Sequence, residues 1–401
     1  MTRQKLVLGS LWLLLLANYL ERVAISFAGP SIMAALSMTP RTFGAVLSAF
    51  GIGYLLAQIP GGLLADRYGA RRMLVIAAVL WAFFTGLTGL TVTVTAFVVV
   101  RFLFGLSEGV VMSSFYKTIG DNFEPAKRAR AVSIGLTAIA VAPACAGPLV
   151  GGLVAHSGWQ AMFLWMMIPA LLAALCAYFF IPQQASVALA EPDPPEERGG
   201  YIDVLKQPSL WLLSLAAFAW NIPYWGFLGW MPSYLAMARG IDLKMLGMLA
   251  AIPYVFAFLG ILAFGWLGSR LPRHCTYIVA GGFAAAALSL AGAYRAETVP
   301  SAIAGLSAAA FFLFGVGGPI GKISLDLAPA RRRAAFVGTY GTAGQISSAL
   351  APGVIGFLVS ETGNFGSGFT LMAVSLGLSA VCLLALTPAA ARGHRAGTLP
   401  A

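Results

Sequence analysis

Residues Arg101–Arg130, RFLFGLSEGVVMSSFYKTIGDNFEPAKRAR, place Arg101, Glu108 and Lys117 within one long apolar stretch that ends in a basic cluster. About 20 helical residues span the ~30 Å hydrocarbon core of a bilayer, so these charges fall at the depth of the lipid tails. A charged side chain at that depth costs several kcal/mol unless it is paired or hydrated, and such residues usually mark a transport pathway. The stretch therefore predicts a membrane protein that carries a solute.

The composition extends this pattern over the whole chain. Of 401 residues, 59% are hydrophobic and 10% are charged, a balance that soluble domains do not have. The apolar residues come in blocks of about 20 separated by short loops, which predicts an all-α membrane protein with twelve transmembrane helices. The predicted helices cover residues 8–33, 43–65, 73–94, 96–120, 131–154, 161–181, 209–236, 245–268, 275–293, 301–325, 334–358 and 368–388.

The net charge of +11 does not indicate a nucleic-acid-binding protein, because the basic residues are sorted by side of the membrane. With the N-terminus inside the cell, the predicted cytoplasmic segments hold 17 of the 25 Lys and Arg, the exterior loops four and the predicted helices four. This asymmetry follows the positive-inside rule and predicts that both termini are cytoplasmic. We expect a multi-pass monomer in a bacterial-type inner membrane, with an uncleaved first helix and no nucleic-acid partner.

A long polar segment, Gln183–Gln207, divides the predicted helices six and six. Its proline and acidic content predict a cytoplasmic linker between an N-terminal bundle, residues 1–182, and a C-terminal bundle, residues 208–401. The halves share sequence, since Phe102-Leu-Phe-Gly105 in the fourth predicted helix matches Phe312-Leu-Phe-Gly315 in the tenth. Such a repeat predicts two pseudo-symmetric six-helix bundles that bind substrate near the midplane and work by alternating access.

The loop between the second and third predicted helices contains Gly61-Gly-Leu-Leu-Ala-Asp66-Arg67-Tyr-Gly-Ala-Arg71. It resembles the signature loop of the major facilitator superfamily, whose members are twelve-helix transporters. The resemblance implies that Asp66, Arg67 and Arg71 latch the two bundles in one state, with the aspartate accepting charge-assisted hydrogen bonds. A plain set of topogenic basic residues is the alternative, but it does not explain an aspartate within a positive loop.

The fourth predicted helix carries a second motif of the same superfamily, which Arg101-Phe-Leu-Phe-Gly105-Leu-Ser-Glu108 resembles. Arg101 and Glu108 are seven residues apart, which places them on one helix face about 10 Å apart along the axis. Burial favours a protonated carboxyl and a nearby cation favours an ionised one, so Glu108 is a candidate proton carrier with Arg101 beside it. A static ion pair that holds helices together is the alternative.

The first predicted helix contains Tyr19-Leu-Glu21-Arg22, and together with Tyr54 and the fourth-helix motif it resembles the anion:cation symporter family of the superfamily. That family includes bacterial sugar-acid proton symporters and animal organic-anion and glutamate carriers. The resemblance covers nearly the whole chain and implies that Arg22 binds the substrate carboxylate in a cavity lined by Tyr19 and Tyr54. It also implies that Glu21 and Glu108 carry the coupling proton, although the family more usually has Asp where Glu21 stands.

This chain departs from sugar-acid carriers at two positions. Where those carriers place an amide in the fifth helix, this chain has the apolar Ile139, and the position of their tenth-helix amide falls near Phe314. A heavily hydroxylated substrate would lose hydrogen-bond partners there, which favours a less polar organic anion. Gln345 in the eleventh helix can restore one amide contact, and we expect Tyr224 or Trp225 in the seventh helix to face the substrate.

Lys117 and Lys322 lie at similar places in the fourth and tenth predicted helices, each followed four residues later by an aspartate, Asp121 and Asp326. Side chains four residues apart on a helix can pair, and a lysine within about two turns of the membrane face can reach water. We expect paired cytoplasmic gate residues. Direct contact of the lysines with substrate is the alternative.

These features predict a secondary transporter that imports an organic anion, specifically a carboxylate, by proton symport. Four basic residues at predicted membrane depth outnumber Glu21 and Glu108 by two, which favours an anion in a low-dielectric cavity. A fifth-helix stretch, Gly147-Pro148-Leu-Val-Gly151-Gly152, resembles the antiporter motif of the superfamily. A proton-driven exporter of a drug or metabolite is therefore the alternative, and a membrane receptor that transports nothing is a third hypothesis.

No enzymatic activity, cofactor or metal site is expected. The three histidines fall in loops or the tail, the four cysteines lack metal-ligand spacing, and no phosphate-binding loop is present. The expected partners are a small organic anion, protons and the lipid bilayer.

Overall fold

A computed structural model describes residues 3–183, 201–329 and 333–396, and the regular elements within those ranges are all helical. A short 3-10 turn, Pro272–His274, precedes α10. In chain order the α-helices are α1 (Arg3–Ala35), α2 (Pro40–Tyr68), α3 (Ala70–Gly89), α4 (Val94–Glu108), α5 (Val111–Asn122), α6 (Pro125–Phe180), α7 (Tyr201–Leu205), α8 (Pro208–Met237), α9 (Leu243–Arg270), α10 (Cys275–Arg295), α11 (Val299–Gly315), α12 (Gly317–Leu327), α13 (Arg333–Thr362) and α14 (Gly366–Ala396).

Ten helical stretches among the described residues are long and apolar enough to cross a membrane. One of them, Arg130–Phe180, has 51 residues, more than twice the ~20 that a single crossing needs. Gly158 interrupts it with φ 81° and ψ 166°, a conformation that glycine adopts far more readily than other residues. The stretch thus contains the two helices predicted at 131–154 and 161–181. The all-helical membrane fold is confirmed, and the count of twelve helices stays a prediction.

Two of the membrane-length stretches contain a short turn near the middle. Val94–Asn122 consists of α4 and α5, which are separated at Gly109 and Val110, and Val299–Leu327 consists of α11 and α12, which are separated at Val316. Gly109 (φ −60°, ψ −22°), Val110 (φ −82°, ψ −13°) and Val316 (φ −66°, ψ −11°) keep right-handed helical backbone angles. Each stretch is therefore one membrane-length helix with a local irregularity, and Glu108 lies directly before the irregularity in the first.

Glycines allow α2 and α4 to pack with their backbones in contact. A Cβ atom at Gly53 would lie 2.1 Å from the Phe102 carbonyl oxygen, and one at Gly105 would lie 2.1 Å from the Phe50 carbonyl oxygen. Larger residues at either position would force the helices apart. The close crossing therefore holds the Phe50 and Tyr54 turns of α2 against α4.

The chain forms two compact units. The first comprises Met1–Pro192 with Gly229–Ala251, and the second comprises Asp193–Leu228 with Ile252–Ala401. Of the predicted linker, residues 184–200 lie outside the described residues, and its last part contains the five-residue helix α7.

The segment Gly229–Ala251 packs closely within the first unit. The Trp230 ring meets the Phe43 ring edge-on with centroids 5.7 Å apart. A Cβ atom at Gly147 would lie 2.2 Å from the Gly247 carbonyl oxygen, so α6 and α9 cross at backbone contact. Helix packing by itself therefore requires the first glycine of the fifth-helix motif.

The α2–α4 crossing can be tested with a pair of alanine substitutions. Gly105→Ala is expected to lower the free energy of unfolding by about 1–3 kcal/mol, because the new methyl group overpacks the crossing. Gly120→Ala in α5 is the matched control, since nothing lies within 4 Å of its Cβ position and alanine is the better helix former. Thermal unfolding of the purified variants in detergent measures both effects, and equal stability would contradict the close crossing.

Candidate functional site

A buried ion pair joins α1 to α4. Arg22 donates to Glu108 Oε2 from Nη2 at 2.6 Å and from Nε at 3.1 Å. Arg22 is 7% exposed and Glu108 is 0% exposed. Each charge costs several kcal/mol to remove from water, and their mutual attraction offsets that cost only while both are present. The pair is therefore stable as a unit and sensitive to neutralisation of either partner.

Aromatic rings surround the Arg22 guanidinium. Its central carbon lies 4.5 Å from the centroid of the Tyr19 ring, 4.9 Å from that of Tyr54 and 5.0 Å from that of Phe50. Asn18, one helical turn earlier, accepts a hydrogen bond from Nη2 at 3.3 Å. Because aromatic faces carry partial negative charge, they stabilise the cation where water is excluded. Tyr19 and Tyr54 thus lie beside Arg22.

Two polar atoms next to the pair have no hydrogen-bond partner among the described residues, Glu108 Oε1 and Asn18 Nδ2. The first can accept a proton or a hydrogen bond, and the second can donate one. Buried polar atoms without partners often mark a place where a ligand or water binds. Asn18 was not predicted as a site residue, although its place one turn before Arg22 is visible in the sequence.

Arg101 is almost completely buried, at 2% exposed, and forms no ion pair with any described residue. Its guanidinium carbon lies 4.4 Å from the Phe104 ring centroid and 5.5 Å from that of Phe50. Its Nε has no hydrogen-bond partner in the described part of the chain. The helix spacing predicted Arg101 beside Glu108 on one face, whereas the ion pair of Glu108 is with Arg22.

Glu21 points toward α3. The Thr85 hydroxyl donates to Glu21 Oε2 at 2.5 Å, and Glu21 is 1% exposed. The two carboxylates that were predicted to carry protons therefore have different partners: an arginine for Glu108 and a threonine for Glu21. Thr85 was not predicted as a site residue, because nothing in its local sequence signals a contact with α1.

Both candidate gate lysines are paired and reach solvent. Lys117 Nζ lies 2.9 Å from Asp66 Oδ1, and the lysine side chain is 30% exposed. This partner was not indicated by helix spacing, because it comes from α2. In the second unit, Lys322 pairs with Asp326, four residues later, and the lysine side chain is 33% exposed. Each lysine charge is therefore balanced by an aspartate of its own unit.

The arginines of the signature loop stack on tyrosines. The Arg67 guanidinium carbon lies 5.3 Å from the Tyr68 ring centroid, and that of Arg71 lies 4.7 Å from the ring centroid of Tyr178 in α6. A polar cleft adjoins this loop. It is lined in part by Asp66, Arg71, Arg72, Lys117, Asp121 and Gln183. The loop and the end of α5 thus form one charged surface.

Two of the residues predicted in the second unit, Tyr224 and Trp225, belong to an aromatic cluster. The Tyr224 ring centroid is 4.7 Å from that of Phe314 and 5.5 Å from that of Trp225. Gln345 Oε1 is buried and has no hydrogen-bond partner among the described residues. The second unit therefore offers aromatic faces and one amide oxygen.

Within the described ranges, no group of three or more His, Cys, Asp or Glu is arranged to hold a metal ion. All four cysteines are free thiols. The side chains around Arg22 allow two kinds of chemistry. The Glu108 carboxylate can bind or release a proton, and the Arg22 guanidinium can change its ion-pair partner.

Comparisons with known proteins bear on the family and the fold of the chain. A family model described as Major Facilitator Superfamily matches residues 11–325 and 236–399. The hexuronate transporter of Bacillus subtilis (strain 168) is 28% identical over 371 residues, which cover 88% of this chain and 87% of that protein. A protein named as a probable sulfoacetate transporter of Cupriavidus necator is 28% identical over 408 residues, which cover 96% of this chain and 94% of that protein.

Similarity extends to a solved structure. The crystal structure of a bacterial homolog of the human lysosomal transporter Spinster matches with a TM-score of 0.76 and 18% identity, covering 98% of both chains. At this identity the likeness concerns the fold alone.

The interaction energy between Arg22 and Glu108 can be measured through the free energy of unfolding. Glu108→Leu is expected to lower the free energy of unfolding by about 3–5 kcal/mol, because Arg22 is left buried without its counter-charge. Adding Arg22→Met should recover most of that loss, since two apolar side chains need no compensation there. Thermal unfolding of both single variants and the double variant gives the coupling energy. Losses that simply add in the double variant would contradict a direct pair.

Proposed function

We propose that this chain, which belongs to the major facilitator superfamily, imports an organic anion together with a proton. The predicted superfamily is confirmed, and the chain is a multi-pass membrane transporter and not an enzyme. The two relatives described above are named for organic anions, hexuronate and sulfoacetate. We place this transporter in a bacterial-type inner membrane, as a monomer with both termini in the cytoplasm.

The ion pair between Arg22 and Glu108 carries the proposal. A substrate carboxylate and Glu108 are chemically alike, so they compete for the same guanidinium. A proton that binds Glu108 removes its charge and weakens its hold on Arg22, which frees the guanidinium for substrate. Protonation and anion binding therefore favour one another, and this reciprocal coupling is what a symporter needs.

Charge balance among the buried side chains supports the coupling of one proton to one negative charge. Four charged side chains among the described residues are buried, namely Glu21, Arg22, Arg101 and Glu108. Their formal charges cancel, so an anion that entered alone would leave one uncompensated charge in a low dielectric. A proton that enters with the anion keeps the set neutral.

The lysines do not change this balance. The sequence suggested an excess of two positive charges at membrane depth, and that count included Lys117 and Lys322. Because both lysines are about a third exposed and paired with aspartates, the excess is not found among the buried groups of the described chain. Anion selectivity is therefore proposed to come from protonation of a carboxylate and not from a standing positive charge.

The proposed substrate has fewer hydroxyls than a sugar acid. Phe314 stands near a position where sugar-acid carriers have an amide, and its ring packs against Tyr224 and, at 6.3 Å between centroids, Tyr254. Gln345 supplies one amide oxygen without a partner in the described residues. Aromatic faces and a single acceptor favour a carboxylate with an apolar body and few hydrogen-bond donors.

Export in exchange for protons is the competing function, because the fifth-helix stretch resembles an antiporter motif. The contact of Gly147 with the Gly247 backbone gives that glycine a packing role in either kind of transporter. Import by alternating access therefore remains the proposal, with the Asp66 and Lys117 pair and the Lys322 and Asp326 pair as candidate gates.

The role of Arg22 can be tested by a change that keeps its charge. Arg22→Lys is expected to weaken anion binding at least about tenfold, because lysine lacks the planar fork and the ring stacking of arginine. Arg41→Lys, at an exposed arginine of the same unit, is the matched control and should bind like the wild type. Binding is measured on purified protein with carboxylates selected by thermal-shift screening. Unchanged affinity in Arg22→Lys would remove this residue from the substrate site.

The role of Glu108 can be tested in liposomes with an imposed pH gradient. Wild-type protein should accumulate the anion when protons flow inward. Glu108→Gln should still exchange labelled for unlabelled anion but should lose uphill accumulation, because glutamine imitates the protonated acid and cannot release a proton. Gradient-driven extrusion by the wild type would favour the exporter, and uphill accumulation by Glu108→Gln would exclude Glu108 as the proton carrier.

A further inference from the structure

The contact between Glu21 and α3 has no part in the competition at Arg22. Thr85 and Glu21 are both buried, at 2% and 1% exposed, and their hydrogen bond crosses from α3 to α1. Trp81, one turn earlier in α3, lies beside the same carboxyl, and its Nε1 has no hydrogen-bond partner in the described part of the chain. α3 therefore presents a hydroxyl and an indole N–H to Glu21.

We infer that Thr85 is a positioning residue that fixes the orientation of the Glu21 carboxyl and sets how readily it binds the coupling proton. The inference rests on the proposed function and on the expectation from the family resemblance that Glu21, like Glu108, carries the coupling proton. It adds α3 to the coupling machinery, which otherwise involves α1 and α4.

The two oxygens of Glu21 have unequal surroundings. Oε2 accepts the hydrogen bond of Thr85, whereas Oε1 has no partner among the described residues. A carboxylate that accepts a hydrogen bond is stabilised in its charged form. The hydroxyl therefore holds Oε2 in place and stabilises the charged carboxylate.

Few other ionisable groups act on Glu21. α4 contributes Arg101 and Glu108, and the neighbouring Arg22 of α1 is paired with Glu108. α3 has no Asp, Glu, Lys, Arg or His from residue 73 to 89, and α6 has none from residue 131 to 155. α2 carries its charged residues only near its two ends. Thr85 is thus an uncharged group that donates a hydrogen bond directly to Glu21.

A second threonine of α3 donates its hydroxyl to its own helix and not to a carboxylate on another helix. Thr88 is 0% exposed and donates to the Phe84 carbonyl one turn earlier, at 2.7 Å. That bond is the usual one for a threonine inside a helix. Thr85 instead donates to a carboxylate on another helix, and Thr88 is therefore a matched control for the loss of one buried hydroxyl.

The test is the pH profile of proton-driven uptake in liposomes. Thr85→Val keeps the side-chain shape and removes the hydroxyl, so the charged form of Glu21 loses a stabilising bond and the carboxyl takes up its proton at higher pH. The midpoint of the profile is expected to move upward by about one pH unit, because a hydrogen bond to a charged group is worth about tenfold in that equilibrium. Thr85→Ser should restore the wild-type midpoint, and Thr88→Val should leave it unchanged.

The outcomes separate this inference from the proposed function. A wild-type midpoint in Thr85→Val, together with lost uphill accumulation in Glu21→Gln, would overturn the role of Thr85 and leave Glu21 as a proton carrier. Normal accumulation by Glu21→Gln would overturn the roles of both Glu21 and Thr85 and leave the proposed competition at Arg22 and Glu108 standing. In the Glu21→Gln background, Thr85→Val should leave the pH profile of anion exchange unchanged, and a shift of that profile would show that Thr85 acts elsewhere. Thermal unfolding of each variant is measured in parallel, and a lower unfolding temperature without a midpoint shift would reduce Thr85 to a packing residue.

Discussion

The main constraint on this molecule is the burial of two opposite charges, a guanidinium and a carboxylate, away from water. Neither Arg22 nor Glu108 is stable at its position without the other, and a proton or a second carboxylate can replace one of them. The surrounding protein must therefore keep water out while leaving the pair free to change partners. The rings of Tyr19, Phe50 and Tyr54 meet both needs, because they exclude water and still attract the cation.

Close helix packing keeps those rings in place. α2 and α4 can touch because Gly53 and Gly105 have no side chains, and the contact holds the Phe50 turn against the helix that carries Arg101 and Glu108. Two glycines, one of them on the same helix as Arg101 and Glu108, thus help to determine where the charges meet.

The buried acids of the first unit are set up for different tasks. Glu108 is held by Arg22, so in the proposed transport cycle its protonation is tied to anion binding. Glu21 is held by an uncharged hydroxyl in α3, so its protonation is tied less directly to the substrate. The lysines that the sequence predicted to add positive charge to the interior are about a third exposed and paired with aspartates. The electrostatics of the site consequently depend on which acid carries a proton at a given moment.

Hydropathy along the chain determined the helices and their approximate ends, because burial in lipid requires long apolar runs whatever their neighbours are. Two motifs indicated the superfamily, the loop with Asp66 and the fourth-helix stretch with Arg101 and Glu108. The residue types of the site, Arg22, Glu21 and Glu108, were also visible. The partners were decided by tertiary structure: Arg22 meets Glu108 across 86 residues, Thr85 meets Glu21 across 64, and Lys117 meets Asp66 across 51. The helical period shows which residues of one helix share a face. It does not show how that helix is rotated or shifted against its neighbours, and hydrogen bonds between helices depend on both.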